Sequence, residues 1–278
     1  MAAGAGGRYP SPVPVFHVID DPADPRIEAY RDIRERDLVG RRGLFVAEGE
    51  TVLRVLAGQH RHRPLSVLIA AKRRDKLAAI LARLPEETPV YLASQAVLDG
   101  IAGFELHRGI LALAERGAPV APETLLAGLG ARALVLALVG ISNHDNIGGL
   151  FRNAAAFGVE AVLLDATCCD PLYRKAIRVS VGGALTVPFA RLAPGEDLIG
   201  LLERHGLTPV ALSPSGATTL ADLRPMARAA LLLGAEGPGL PETMLARCRT
   251  VSIPMSGGFD SLNVATTSGI ALHQLRFG

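Results

Sequence analysis

The strongest constraint on this chain is a repeated alternation of short apolar runs with longer amphipathic ones. Residues 133–139 read ALVLALV without a polar interruption. A strand with that pattern must be buried on both faces, as in a parallel sheet covered by helices. Further strand-like runs lie at 161–164, 207–212, 229–233 and 250–253. Helical patterns lie between them at 146–157, closed by Gly158, at 171–181 and at 263–276. This order predicts an α/β fold with a mostly parallel sheet and helices on both faces.

The first half alternates too. Strands are expected at 44–47, 65–71, 89–93 and 109–114, and helices at 49–57, 75–84 and 95–102. A solvated amphipathic helix is expected over 26–38, with Ile27, Tyr30, Ile33 and Leu38 as its apolar positions. These elements make a second, smaller α/β unit. Gly and Pro gather in 1–14, expected as a flexible lead, and again in 116–130. The expected division is therefore an N-terminal domain at 15–120, a linker at 121–130 and a C-terminal domain at 131–278.

Composition removes several classes of function. With 49% hydrophobic and 20% charged residues, the chain has the apolar material for packed cores, which disordered chains lack. A formal net charge of +2 excludes a polybasic nucleic-acid binder but leaves room for a local patch. The one stretch with a cationic excess holds Arg61, Arg63, Lys72, Arg73 and Arg74, which become candidate RNA contacts. Cys168, Cys169 and Cys248 form no C-x-x-C pair, and the histidines have no ligand spacing, so no metal is expected. The two adjacent cysteines read as buried small hydrophobes rather than nucleophiles. No apolar stretch reaches the ~18–20 residues of a membrane span, and no secretory signal is visible, so a cytoplasmic protein is expected.

Three loops that follow apolar strands combine glycine with polar side chains, and ligands of open parallel sheets sit at such strand ends. The first runs from Ser142 to Asn153 and holds Asn146, Gly148, Gly149 and Arg152. The second, 234–241, reads GAEGPGLP and holds Glu236. The third, 253–264, reads IPMSGGFDSLNV and holds Ser261 and Asn263. Each alone is explained as well by an Asn or Ser cap, a surface charge or an ordinary turn. None is a dinucleotide fingerprint or a P-loop.

Taken in order, Asn-x-Gly-x-x-x-Arg, Gly-Ala-Glu-Gly-x-Gly and Ile-Pro-Met followed by Ser-Leu-Asn-Val resemble the three motifs of the SpoU/TrmH branch of the SPOUT RNA methyltransferases. The resemblance spans 133–276. Phe45-Val46-Ala47-Glu48-Gly49 and His107-Arg108-Gly109 carry a weaker likeness to the family's N-terminal substrate-binding domain, a ribosomal-protein-like α/β fold. The resemblance implies a C-terminal trefoil knot, S-adenosyl-L-methionine as cofactor and a homodimer formed through the C-terminal domain. It implies Asn146, Arg152, Glu236, Ser261 and Asn263 as catalytic residues. Leu212, Gly234, Ile253, Met255 and Leu262 are implied as cofactor-binding residues, with backbone groups of Gly234, Ile253 and Leu262 holding the adenine. Asp260 takes no role.

The implied reaction moves a methyl group to a ribose 2′-hydroxyl of ribosomal RNA or tRNA, and the extra N-terminal domain leans toward ribosomal RNA. Guanidinium groups stay protonated in proteins, so Arg152 reads better as a phosphate ligand and alkoxide stabiliser than as a base. Glu236 is expected to orient or pair with it. The competing reading is a non-catalytic RNA-binding or ribosome-assembly protein on a relic fold. Retention of Arg152, Glu236, Ser261 and Asn263 together weighs against it.

Overall fold

A computed structural model describes residues 15–31, 38–40, 42–102, 109–257 and 261–278. The lead at 1–14, the pair His107-Arg108 and Asp260 lie outside the described residues. Two compact units divide the chain between Glu115 and Arg116.

The first unit contains β1 (Phe16–Ile19), β2 (Leu44–Glu48), α1 (Glu50–Leu56), β3 (Pro64–Ala70), α2 (Arg74–Leu81), β4 (Val90–Ala93), α3 (Gln95–Ala102) and β5 (Ile110–Glu115). Its sheet has the order β1-β4-β3-β5-β2, parallel across β1, β4 and β3, with β5 antiparallel to both its neighbours. Every strand expected between 44 and 114 is present within a residue or two. The helix expected over 26–38 is not what forms at its start. Pro25–Tyr30 is a 3-10 turn opened by Asp24, whose carboxylate accepts from Arg26 N, and 32–37 lie outside the described residues. Tyr30 explains the difference. It is fully buried, its hydroxyl lies 2.7 Å from Ser66 Oγ, and it accepts from Leu113 N at 3.2 Å. The side chain plugs into the sheet instead of lying along a solvated helix face.

The second unit contains α4 (Pro122–Ala127), β6 (Ala133–Leu138), α5 (His144–Ala156), β7 (Ala161–Leu164), α6 (Arg174–Val179), α7 (Gly183–Thr186), β8 (Phe189–Arg191), α8 (Leu198–Arg204), β9 (Thr208–Leu212), β10 (Thr218–Thr219), β11 (Arg228–Leu233), α9 (Glu242–Leu245), β12 (Arg249–Ser252) and α10 (Val264–Phe277). Seven strands form one sheet in the order β10-β12-β9-β11-β6-β7-β8, and every pairing is parallel. All six residues of β6 are buried. Its odd-numbered residues Ala133, Val135 and Ala137 share a core with Leu126 of α4 and with Leu198, Leu201 and Leu202 of α8. Its even-numbered residues face the other side of the pleat.

Two expectations change here. The segment 121–130 is not a linker: it carries α4, whose Leu126 is 1% exposed in the core of the second unit. Pro122 at the first helical turn starts a helix there rather than breaking one. The helix expected over 171–181 is shorter, because Val181 and Gly182 adopt left-handed φ values of 55° and 86° and end it. No helix among the described residues is long and apolar enough to cross a membrane.

Phe151 of α5 is fully buried and meets Phe189 edge-on, with ring centroids 5.6 Å apart. Phe151→Ala leaves a ring-sized void, so stability should fall by about 3–5 kcal/mol. Urea unfolding followed by circular dichroism measures it, and a loss below about 1 kcal/mol would mean the helix collapses onto the sheet to fill the gap.

Candidate active site

Strands β12, β9 and β11 are neighbours, so the loops after them leave the same edge of the sheet. They enclose a cavity of about 520 Å³, the size of a small-molecule site. Its walls are largely apolar, with Leu233, Leu240 and Val251 among them, and Glu236 is the only charged residue lining it among the described residues. Leu212, Gly234, Ile253, Met255 and Leu262, the five implied cofactor residues, all line this cavity, as do Ser261 and Asn263. Asn146 and Arg152 do not. Apolar walls with the Glu236 carboxylate among them suit a ligand that is apolar over much of its surface and carries positive charge, a description that S-adenosyl-L-methionine meets.

The second loop owes its shape to glycine. A Cβ on Gly234 would lie 2.3 Å from the Gly239 carbonyl carbon and 2.5 Å from Leu240 N. Gly239 N donates to the Ala235 carbonyl at 3.0 Å, and Gly237 and Gly239 sit at φ 87° and 68°. The loop therefore folds back on its own first residue, which only a glycine permits.

The first loop leads into α5. Asn143 caps it, its side chain accepting from Asp145 N at 2.8 Å. Both glycines of the first motif are explained by neighbouring helices. A Cβ on Gly148 would lie 2.6 Å from Val179 Cβ of α6, and one on Gly149 would lie 2.6 Å from Ala265 Cβ of α10. α5 is thus gripped closely on two sides.

Asn263 then joins all three loops. Its Oδ1 caps α10, accepting from Ala265 N at 2.9 Å and Thr266 N at 3.4 Å. Its Nδ2 donates to Asn146 Oδ1 at 2.9 Å and to Glu236 Oε1 at 3.0 Å. Asn146 is only 6% exposed. Asn263 thus caps α10 with one end of its amide and bridges the other two loops with the opposite end.

Arg152 stands apart. It is exposed and makes no hydrogen bond or ion pair among the described residues. The expected pairing with Glu236 is absent, since Glu236 accepts from Asn263 instead. Six residues of helix turn Arg152 about 240° from Asn146, away from the face that meets α10.

The basic stretch of the first unit is not one patch. Arg61 and Arg63 precede β3 while Lys72, Arg73 and Arg74 follow it, and seven strand residues put the two groups roughly 20 Å apart. Arg63 is paired with Glu115 at 2.7 Å, and Lys76 and Arg54 with Glu50 at 2.9 and 3.2 Å. Arg74 lies 4.3 Å over the Phe16 ring. Glu115 lies 52 residues from Arg63 and Glu50 lies on another helix from Lys76, so counting charges along the chain could not reveal those two pairs, whereas Arg54 and Glu50 are an i, i+4 pair on α1.

The thiols behave as read. Burial pushes Cys168 up to about 12 and Cys169 up to about 11, and Cys168 Sγ donates to the Leu138 carbonyl. His144, half-buried, stacks on Tyr173 at 4.7 Å. Ser213, Pro214 and Thr267 line the cavity without having been singled out. The Ser-Pro-Ser-Gly run after β9 was the available signal, because Gly216 lies against the β12 backbone, 2.2 Å from Val251 C if it carried a Cβ.

The sequence matches the family described as SpoU rRNA Methylase over residues 133–273. It is 40% identical over 285 residues to an uncharacterized tRNA/rRNA methyltransferase of Mycobacterium tuberculosis, covering 99% of this chain and 96% of the relative. It is 31% identical over 213 residues to the 23S rRNA (guanosine-2′-O-)-methyltransferase RlmB of Salmonella typhimurium, covering 75% of this chain and 88% of that one. The fold is similar to that of an AdoMet-bound rRNA methyltransferase from Sinorhizobium meliloti, with a TM-score of 0.76, 23% identity and coverage of 94% and 97%. Gly234→Ala should abolish measurable S-adenosyl-L-methionine binding in calorimetry, and wild-type affinity in that variant would detach the second loop from the cofactor site. The match over half the chain and the near full-length relative place this protein in the SpoU/TrmH family of S-adenosyl-L-methionine-dependent RNA methyltransferases.

Proposed function

We propose that this protein methylates a ribose 2′-hydroxyl of ribosomal RNA. The observation that carries the reading is the Asn263 junction, which brings Asn146 and Glu236 together at the rim of an apolar cavity with one carboxylate. The likeness to a 23S rRNA (guanosine-2′-O-)-methyltransferase supports the choice of acceptor and of RNA.

The bound cofactor supplies an activated, cationic methyl donor. The chain's own task is alignment and exclusion of water. Backbone groups at Gly234, Ile253 and Leu262 would hold the adenine, and Leu212 and Met255 would supply apolar wall to the same site. Glu236 would supply negative charge to a cationic ligand in the cavity, and Asn263 donates to that carboxylate and fixes its direction. Ser261 positions the substrate on the same rim. Arg152, exposed on α5 and without a partner among the described residues, binds the phosphate beside the target ribose and stabilises negative charge developing on the 2′-oxygen.

The segments 234–240, 253–257 and 261–263 are proposed to belong to the knotted cofactor cradle of the C-terminal domain. Residues 15–120 are proposed to choose the RNA, with Lys72, Arg73 and Arg74 as phosphate contacts and with Arg61 and Arg63 at the far end of β3. The homodimer is proposed to form through the C-terminal domain. The exposed Ile270 and Phe277 of α10, beside an apolar groove of about 530 Å³, support that assignment.

Two measurements test the proposal. Purified protein with labelled S-adenosyl-L-methionine should label ribosomal RNA from cells lacking the gene at a 2′-O position. Labelling confined to tRNA, or to a base, would overturn it. Arg152→Lys should lower kcat by about 100-fold or more, the scale of losing one charge-stabilising donor, while cofactor affinity stays as in the wild type. Near-normal turnover in Arg152→Lys would remove any role that needs the guanidinium fork.

A further inference from the structure

Asn153 follows Arg152 on α5 but points the other way. Its half-buried side-chain amide donates to the Ala265 carbonyl at 2.6 Å and to Ser268 Oγ at 2.8 Å. Ser268 is fully buried and donates on to the same carbonyl at 2.7 Å. These groups form a closed polar cluster between α5 and the first turns of α10.

Asn146, Gly149 and Asn153 stand at i, i+3 and i+7 on α5, so they share one face over two turns, about 10 Å of helix. On α10 they meet Asn263, Ala265, and then Ala265 with Ser268. The order along the contact is polar rung, glycine, polar rung. Gly149 sets the closest approach, because no side chain separates its backbone from Ala265. The apolar anchors of α10 nearby, Val264, Ala271 and Leu272, are buried but non-directional. Hydrogen bonds of 2.6–2.9 Å tolerate little sliding, so the two asparagine rungs fix the register that apolar packing leaves loose.

We propose that Asn153 is a positioning residue for methyl transfer. It locks α10 to α5 on one side of the Gly149 contact, and so holds Asn263, on the other side, against Asn146 and Glu236. This rests on the methyltransferase reading of the site. Without the Asn153 rung, the first turn of α10 can rock on Gly149, and the motion is delivered to the Asn263 amide.

The test is a double-mutant cycle with a structural readout beside it. Asn153→Ala should lower kcat about tenfold, with the KM for ribosomal RNA unchanged within about twofold. In an Asn263→Ala background the same substitution should cause no further loss of kcat, because its effect runs through Asn263. A repeated tenfold loss in that background would overturn the proposal. Hydrogen exchange by mass spectrometry should show faster uptake in the peptide spanning 261–272 of Asn153→Ala and wild-type uptake at 133–139. Unchanged uptake in 261–272, or a rise in both peptides, would overturn it as well. Should Asn153→Ala fold poorly, Ser268→Ala keeps the Asn153–Ala265 bond and should give a smaller kcat loss with the same absence of additivity. A wild-type protein that transfers no methyl group would sink the functional reading alone, since the exchange experiment still reads the brace.

Discussion

One asparagine side chain connects the three loops on which the candidate active site is built. The Asn263 carbonyl oxygen ends the exposed amides of α10, and its nitrogen reaches Asn146 on α5 and Glu236 after β11. A side-chain amide has two donor hydrogens and an acceptor oxygen, and Asn263 uses all of them. An aspartate could keep the cap but would turn both remaining contacts into acceptor facing acceptor. A serine could keep the cap and not reach. The residue type follows from the number and direction of the groups it must serve.

That junction depends on backbones coming close together, and glycine makes this possible at each step. Gly148 admits α6, Gly149 admits α10, and Gly234 admits the returning turn of its own loop. None of the three owes its identity to a left-handed φ; among the described residues of these loops, Gly237, Gly239 and Gly257 are the glycines that use that freedom. The glycines act by having no Cβ where another chain segment must pass. The cavity exists because the turn after β11 folds against Gly234 rather than into the space beside Leu212 and Ile253.

Charge is distributed in keeping with this packing. Among the described residues the cavity is lined by one carboxylate and no cation, while the exposed guanidinium of Arg152, without a described partner, stands outside on α5. In the proposed reading a cationic cofactor and an anionic RNA backbone would bind in separate places, with the reaction at the boundary. In the first unit, Glu50 and Glu115 neutralise cations that look unopposed along the sequence. The carboxyl of Glu115 is held below the usual carboxylate range by Arg63, as that of Glu50 is by Lys76.

Much of the fold was legible because a buried parallel strand must be an unbroken apolar run, and 133–138 or 229–233 can be little else. The three loops were legible as a set, from order and spacing. Short elements were not: β8 has three residues and α9 four, too few for any period to register. The helix at Pro122–Ala127 was hidden by prolines and glycines that read as a break. The pairing of Arg63 with Glu115 spans 52 residues, and the absence of an Arg152–Glu236 pair reflects a rotation about α5 that spacing only hints at. The sequence by itself determined the longer strands, the family and the polar residues proposed to carry the chemistry, because those are local properties of composition and order. Only the tertiary structure decided which of those residues touch. Contact between Asn263, Asn146 and Glu236 depends on how closely three elements approach, and that distance is set by missing Cβ atoms on their neighbours.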